Sequence, residues 1–255
     1  RRARRETESP HPTVIMRSHP FTPRALRVAL ALLPTSVVLG VSPGQTDTFE
    51  DGTTQGWTVA LLGALHPGPP VNIASGGPAG TDDNFLLLSA FGGGGPGRRL
   101  VGINGSQWSG DYLAAGITSI TLDVRNLGNS DLSLRLLFAD PDVAPPNHMA
   151  ISLDSVFLPA GSDWMSVAFP VSVAALDALQ GTAEGALRNA TELRIFHGSQ
   201  PTLPGEEVLA LLGVDNIRAV GSGPVVPEAR PESLWIGMSL TGLWAWRRRR
   251  DARRD

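Results

Sequence analysis

The chain has 255 residues, no cysteine and no lysine, and all 21 of its basic residues are arginine. Without cysteine there is no disulfide framework, no thiolate metal site and no catalytic thiol, while a hydrophobic content of 42% is enough for a substantial core. Between Gln45 and Val225, 18 acidic residues stand against 7 arginines. An acidic middle of that kind repels a phosphate backbone, which excludes nucleic acid as a partner.

Residues 1–15 show no apolar period and read as an upstream or disordered extension. From Met16 the pattern changes: Arg17, Arg24 and Arg27 precede an apolar run from Val28 to Leu33, which resumes from Val37 to Val41 before the small residues Ser42 and Gly44. A basic region, a short apolar region and small residues make a secretory signal helix over 16–44, with a mature start at Gln45.

Residues 45–222 are punctuated every 8 to 15 residues by Gly, Pro, Asn or Asp, the rhythm of an all-β domain. Ile120, Leu122 and Val124 alternate with Thr121, Asp123 and Arg125, and Leu132, Leu134, Leu136 and Phe138 repeat the pattern beyond a turn at 126–131. Met165, Val167 and Phe169 give another face, and Leu193 with Ile195 another. This is the signature of half-buried antiparallel strands. Phe49, Leu122, Leu134, Phe138 and Val167 are expected inward, and Trp57 and Trp164 are expected in the core. The Ala- and Leu-rich stretch 172–188 predicts a short helix or two turns, with Ser172 as a candidate cap.

Acids near the two ends of this domain form a candidate cation site: Glu50 and Asp51, Asp82-Asp83-Asn84 in a Gly-rich loop, and Asp215. Calcium requires six to eight oxygens, many from carboxylates. Trp108 and Tyr112, in the polar loop 107–112, are candidates for a glycan platform, since a sugar ring stacks on an exposed aromatic face. The run Gly92–Gly97 meets the letters of a dinucleotide motif, but a strand pattern follows it rather than a helix, so it reads as a loop. No nucleophile elbow occurs, and His66, His148 and His197 are isolated.

The last segment, 223–255, carries Val226-Pro227-Glu228, an apolar stretch from Leu234 to Trp246, and then Arg247, Arg248, Arg249 and Arg250. A stretch of 13 residues is short for a membrane span, but the Trp and Arg cluster at its end fits an interface belt and a positive-inside stop. This order resembles the PEP-CTERM sorting signal of exported bacterial proteins. Ala229 stands where that family has a second proline, and Pro231-Glu232-Ser233 offers an alternative register. The resemblance implies processing by an exosortase-like membrane transpeptidase and a place at the bacterial cell surface or envelope.

Phe49–Trp57 and Gly213–Val220 resemble the first and last strands of jelly-roll domains of the carbohydrate-binding-module type. That resemblance implies neighbouring first and last strands and a structural calcium on Glu50, Asp83 and Asp215. The sequence thus predicts an all-β, antiparallel jelly-roll-like β-sandwich between an N-terminal signal helix and a short C-terminal membrane helix. Its expected role is a non-catalytic surface protein that contacts extracellular polysaccharide and meets the membrane through its tail. The alternatives are a secreted polysaccharide-active enzyme and a plain membrane-anchored structural protein.

Overall fold

The alternation in the sequence becomes strand pairing in the computed structural model, which describes residues 40–59, 66–140 and 146–222. The signal segment before Gly40 and the sorting-motif residues Val226, Pro227, Glu228 and Arg247 to Arg250 lie outside the described residues.

One sheet is built from β1 (Thr46–Asp47), β2 (Val71–Ile73), β3 (Phe85–Phe91), β5 (Ile117–Asn126), β9 (Met165–Pro170) and β12 (Leu209–Gly221). Its order is β2-β3-β12-β5-β9, with β1 paired to β12. The other contains β4 (Val101–Asn104), β6 (Leu132–Asp140), β7 (His148–Ser152), β8 (Val156–Leu158), β10 (Leu176–Gln180) and β11 (Glu192–His197). It runs β10-β7-β6-β11-β4, with β8 beside β6. Each named pairing is antiparallel, and the whole is a jelly-roll-like β-sandwich.

Period-two alternation decides which side chains meet between the sheets. Leu88, Leu122, Val124 and Val214 from the first sheet join Leu134, Leu136, Phe138 and Ile195 from the second in one buried cluster. Phe49, Val167 and Trp57 belong to it as expected. Trp164 does not. It is half-buried on the outer side of the first sheet, edge-on to Phe85 at 5.3 Å. Gly213 admits it there, because a Cβ at that position would lie 2.9 Å from the indole.

Two boundaries shift from the sequence reading. Val41 is buried in the same cluster, and its N–H donates to Ser109 O at 2.7 Å while Gly44 N–H donates to Ala219 O at 2.8 Å. The folded unit therefore takes in residues that the signal reading assigned to 16–44. The segment Phe49–Trp57 is a series of turns rather than a strand, because the pairing with the last strand ends at Asp47↔Ile217 and Phe49 then takes φ 59°. In the 172–188 stretch a short 3-10 turn leads into β10, and the helix α1 (Ala183–Arg188) begins only after Thr182. Thr182, not Ser172, supplies the side-chain cap, accepting from Gly185 N–H.

The sheets are closed at one end around Asp47. Its carboxylate is buried and accepts from Trp57 Nε1 at 2.8 Å and Trp108 Nε1 at 2.6 Å. Gln107 Nε2 donates to both of its oxygens. An unpartnered buried donor costs about 1–3 kcal/mol, and Asp47→Ala strands two indole N–H groups at once. We expect this substitution to destabilise the fold by about 2–6 kcal/mol in urea titration, with a change in tryptophan fluorescence of the native state.

Candidate functional site

The loop 105–116 answers the glycan-platform expectation first. Trp108 is 0% exposed and so is Tyr112. Trp108 is held by Asp47, and the Tyr112 hydroxyl donates to Trp108 O at 2.7 Å. The Tyr112 ring stands edge-on to Phe138, with centroids 4.9 Å apart, and burial pushes its phenol pKa up. Both side chains are core, and neither can stack on a sugar. The reason is tertiary: the loop folds inward because Gly110 N–H bonds Ala190 O and Tyr112 N–H bonds Leu187 O.

The outer face of the second sheet is partly covered: its outward residues Leu137, Ala139, Ile151 and Phe196 are buried in a second small cluster edged by Val101, Met149, Leu179 and Leu203. Between β4, β11 and the 203–204 segment lies a cavity of about 210 Å³ lined by Arg99, Val101, Arg194, Phe196, Leu203 and Pro204. Arg194 is half-buried against Glu192, and Arg99 Nε donates to Gly205 O at 2.9 Å. On the same face, opposite Ser133 in the register of β6 and β8, Phe157 is 58% exposed.

The gap where the chain passes from β7 to β8 is filled by Arg135. Its guanidinium is buried and donates to four carbonyls, those of Ser152, Leu153, Gly198 and Ser199, at 2.6–2.9 Å. Burial lowers its pKa, and Asp154 and Glu206 oppose that shift. Nothing in the local sequence marks Arg135 or Phe157. Both continue ordinary alternations, and only the pairing of β6 with β8 shows the break that one fills and the face that the other occupies.

Of the acids singled out for a cation, Asp215 lies on β12 in the middle of the first sheet, and Glu50 and Asp83 are near enough to act on its charge. Asn84 joins two of the segments: its N–H donates to Glu50 Oε1 at 3.0 Å, and its amide donates to Phe49 O and Asn72 Oδ1. Asp83 next to it caps the 77–80 turn by accepting from Ala79 N–H at 2.6 Å. Asp215 sits where β12 bulges, with Asn216 at φ 49°, and is 1% exposed. Its pKa is pushed up to about 7, first by burial and then by the charges of Asp83, Asp123 and Glu50, against the lowering effect of the Asn216 N–H. Among the described residues no arginine pairs with any of these four acids. No three His, Asp or Glu side chains there converge closely enough to chelate an ion by themselves, so any cation would also need carbonyl, amide or water oxygens.

A glycosidase needs two carboxyl groups facing each other across an open cleft. The one described carboxyl whose pKa is raised, Asp215, is covered. It cannot reach a glycosidic oxygen.

No protein-family model matches the chain, and no curated protein matches it. Among solved structures it is similar to the family 11 carbohydrate-binding module from Clostridium thermocellum in complex with a β-1,3-1,4-mixed-linked tetrasaccharide (16% identity, TM-score 0.45, 71% of this chain and 98% of that one). An exo-β-agarase matches at 14% identity and TM-score 0.49, over 72% of this chain and 26% of the agarase. The tandem CBM22 domain from Paenibacillus barcinonensis Xyn10C matches at 14% identity and TM-score 0.41, over 74% and 49%. These likenesses are likenesses of fold.

The Asp215 environment has a consequence for pH. The folded state keeps a proton that the unfolded chain releases near pH 4, so the contribution of Asp215 to stability is greatest below that and is lost as pH rises toward 7. Thermal melts in a chelating buffer should therefore show the melting temperature declining between about pH 4 and pH 7, and Asp215→Asn should flatten that slope.

Proposed function

We propose that this chain is an exported, surface-sorted and non-catalytic β-sandwich protein that contacts neutral extracellular polysaccharide through the outer face of its second sheet. The observation that carries the reading is the exposed ring of Phe157 on the face that also holds the Arg99–Phe196 cavity. A ring face covers the C–H side of a sugar, and guanidinium groups donate to its hydroxyls. One such platform contributes on the order of 1.5–3 kcal/mol before association costs, so retention depends on many copies at one surface. The excess of acids over arginines favours neutral over acidic polymers.

Export and sorting rest on the sequence signals at the two ends. Exosortase-like processing at Val226-Pro227-Glu228 ahead of Arg247–Arg250 is part of the same proposal, as is contact of the tail with the membrane. Since Val41 packs in the core, signal cleavage belongs before residue 40 rather than before Gln45. Mass spectrometry of the surface-extracted protein should show a first residue at or before Gly40 and a last residue near Pro227. Recovery of a chain running from Met16 to Asp255 would exclude both cleavages.

Calcium enters the proposal as a structural ion. The fit lies in a buried carboxylate whose charged form is opposed by three neighbouring acids and, among the described residues, balanced by no arginine. Glu50, Asp83 and Asp215 would hold the ion, with carbonyl oxygens completing its shell. Bound calcium stabilises the ionised acids, so it should abolish the neutral-pH decline in melting temperature. At 100 times its dissociation constant it should add about 2.7 kcal/mol, or about 5–10 °C.

The polysaccharide reading is tested by affinity electrophoresis through gels containing neutral glucans, neutral xylan or polygalacturonate. Retardation should be greater in the neutral gels, and Phe157→Ala should reduce it several-fold. Equal mobility of wild type and Phe157→Ala in every gel would remove the second sheet as the contact face.

A further inference from the structure

The outer face of the first sheet, which points away from the Phe157 face, carries a hollow of about 320 Å³ lined by Thr46, Thr121, Asp123, Ser166, Asn216 and Arg218. Its origin lies in the bulge of β12. The register between β12 and β5 shifts between Asp215 and Arg218, and Asn216 turns through a left-handed conformation. A bulge bends its strand and re-aims the side chains beside it. Beyond it, Thr46, Arg218 and Thr121 stand in one cross-strand row, with Asp123 one step further along β5 opposite Ser166.

The polar groups here are differently occupied. Asp123 accepts from Ser166 Oγ and from Asn216 Nδ2, which uses two of the roughly four lone-pair sites of a carboxylate. Arg218 is exposed, and among the described arginines it alone has no hydrogen bond or ion pair from its side chain. A free guanidinium and a half-used carboxylate therefore share one small concavity with two threonine hydroxyls.

We propose that this hollow binds a single neutral sugar ring, with Arg218 donating to one hydroxyl and Asp123 accepting from its neighbour. Adjacent hydroxyls each donate and accept, so a vicinal diol satisfies an acceptor and a donor set side by side. An anionic ligand is disfavoured by Asp123, Asp215, Glu50 and Asp83, and the unpaired guanidinium of Arg218 calls for an acceptor such as a hydroxyl oxygen. At this size the hollow lies at the small end of ligand sites, which suits one ring rather than a chain. No aromatic ring lines it, so recognition rests on the hydroxyl pattern. The site does not depend on the reading of the second sheet. Where both hold, the domain bridges two saccharides from opposite faces.

The test is saturation-transfer NMR on the full chain with the methyl glycosides of glucose, galactose and mannose, and with galacturonate as the charged control. At least one neutral glycoside should receive saturation, and galacturonate should receive less. Arg218→Ala, which removes an exposed side chain without a partner, should weaken binding about tenfold, the effect of losing one charge-assisted hydrogen bond. In a Phe157→Ala background, which removes the second-sheet contact, Thr121→Trp should fill the hollow and abolish the remaining signal. Circular dichroism melts that match the parent would confirm that the variants are folded. If Thr121→Trp does not fold, Arg218→Ala alone decides. No transfer to any neutral glycoside, or transfer undiminished in Arg218→Ala, would overturn the proposal.

Discussion

The buried carboxylate of Asp47 is the interaction on which the rest of the structure depends. It sits in the two-residue strand that attaches the start of the domain to its last strand, and it binds the indoles of Trp57 and Trp108. A charge inside a core is tolerable only when its lone pairs are filled, and here two indoles and a glutamine amide fill them. In return, the carboxylate fixes the positions of two loops. The 105–116 loop is drawn inward by Trp108, and its glycines and backbone groups then lie against residues 40–41 and 187–190. The residues that look most like a ligand platform are thus the ones that close the sandwich.

The two outer faces differ because the strands depart from regularity in different ways. In the second sheet the chain leaves β6 between β7 and β8, and Arg135 fills the break with four charge-assisted hydrogen bonds to carbonyls. Beyond that break, Phe157 is exposed on the outer face. In the first sheet the departure is the bulge at Asp215–Arg218, and its surroundings are polar.

The acids are distributed with the same division of labour. Asp51, Asp83, Asp111 and Asp131 accept from backbone N–H groups in turns, the ordinary use of aspartate where a chain reverses. Asp215 is the exception. Burial and like-charged neighbours work together to raise its pKa, so the region around the β12 bulge responds to protons near neutral pH.

The sequence by itself determined the class of fold. Alternation with period two identified the inward faces of β5, β6, β9 and β11, and Phe49, Leu122, Leu134, Phe138 and Val167 are buried as that pattern requires. Local turn chemistry likewise marked the 92–97 loop. Burial of individual aromatics was not legible, because a tryptophan among polar residues is the same string whether it faces water or a buried aspartate ten or sixty residues away. Only tertiary structure decided that Trp108 and Tyr112 turn inward, that Trp164 packs outside on a glycine, and that Val41 belongs to the core. It also decided that Phe157 and Arg218 face solvent. The physical reason is that strand pairing and bulges are set by contacts distant in sequence, and these fix which face of a strand meets solvent.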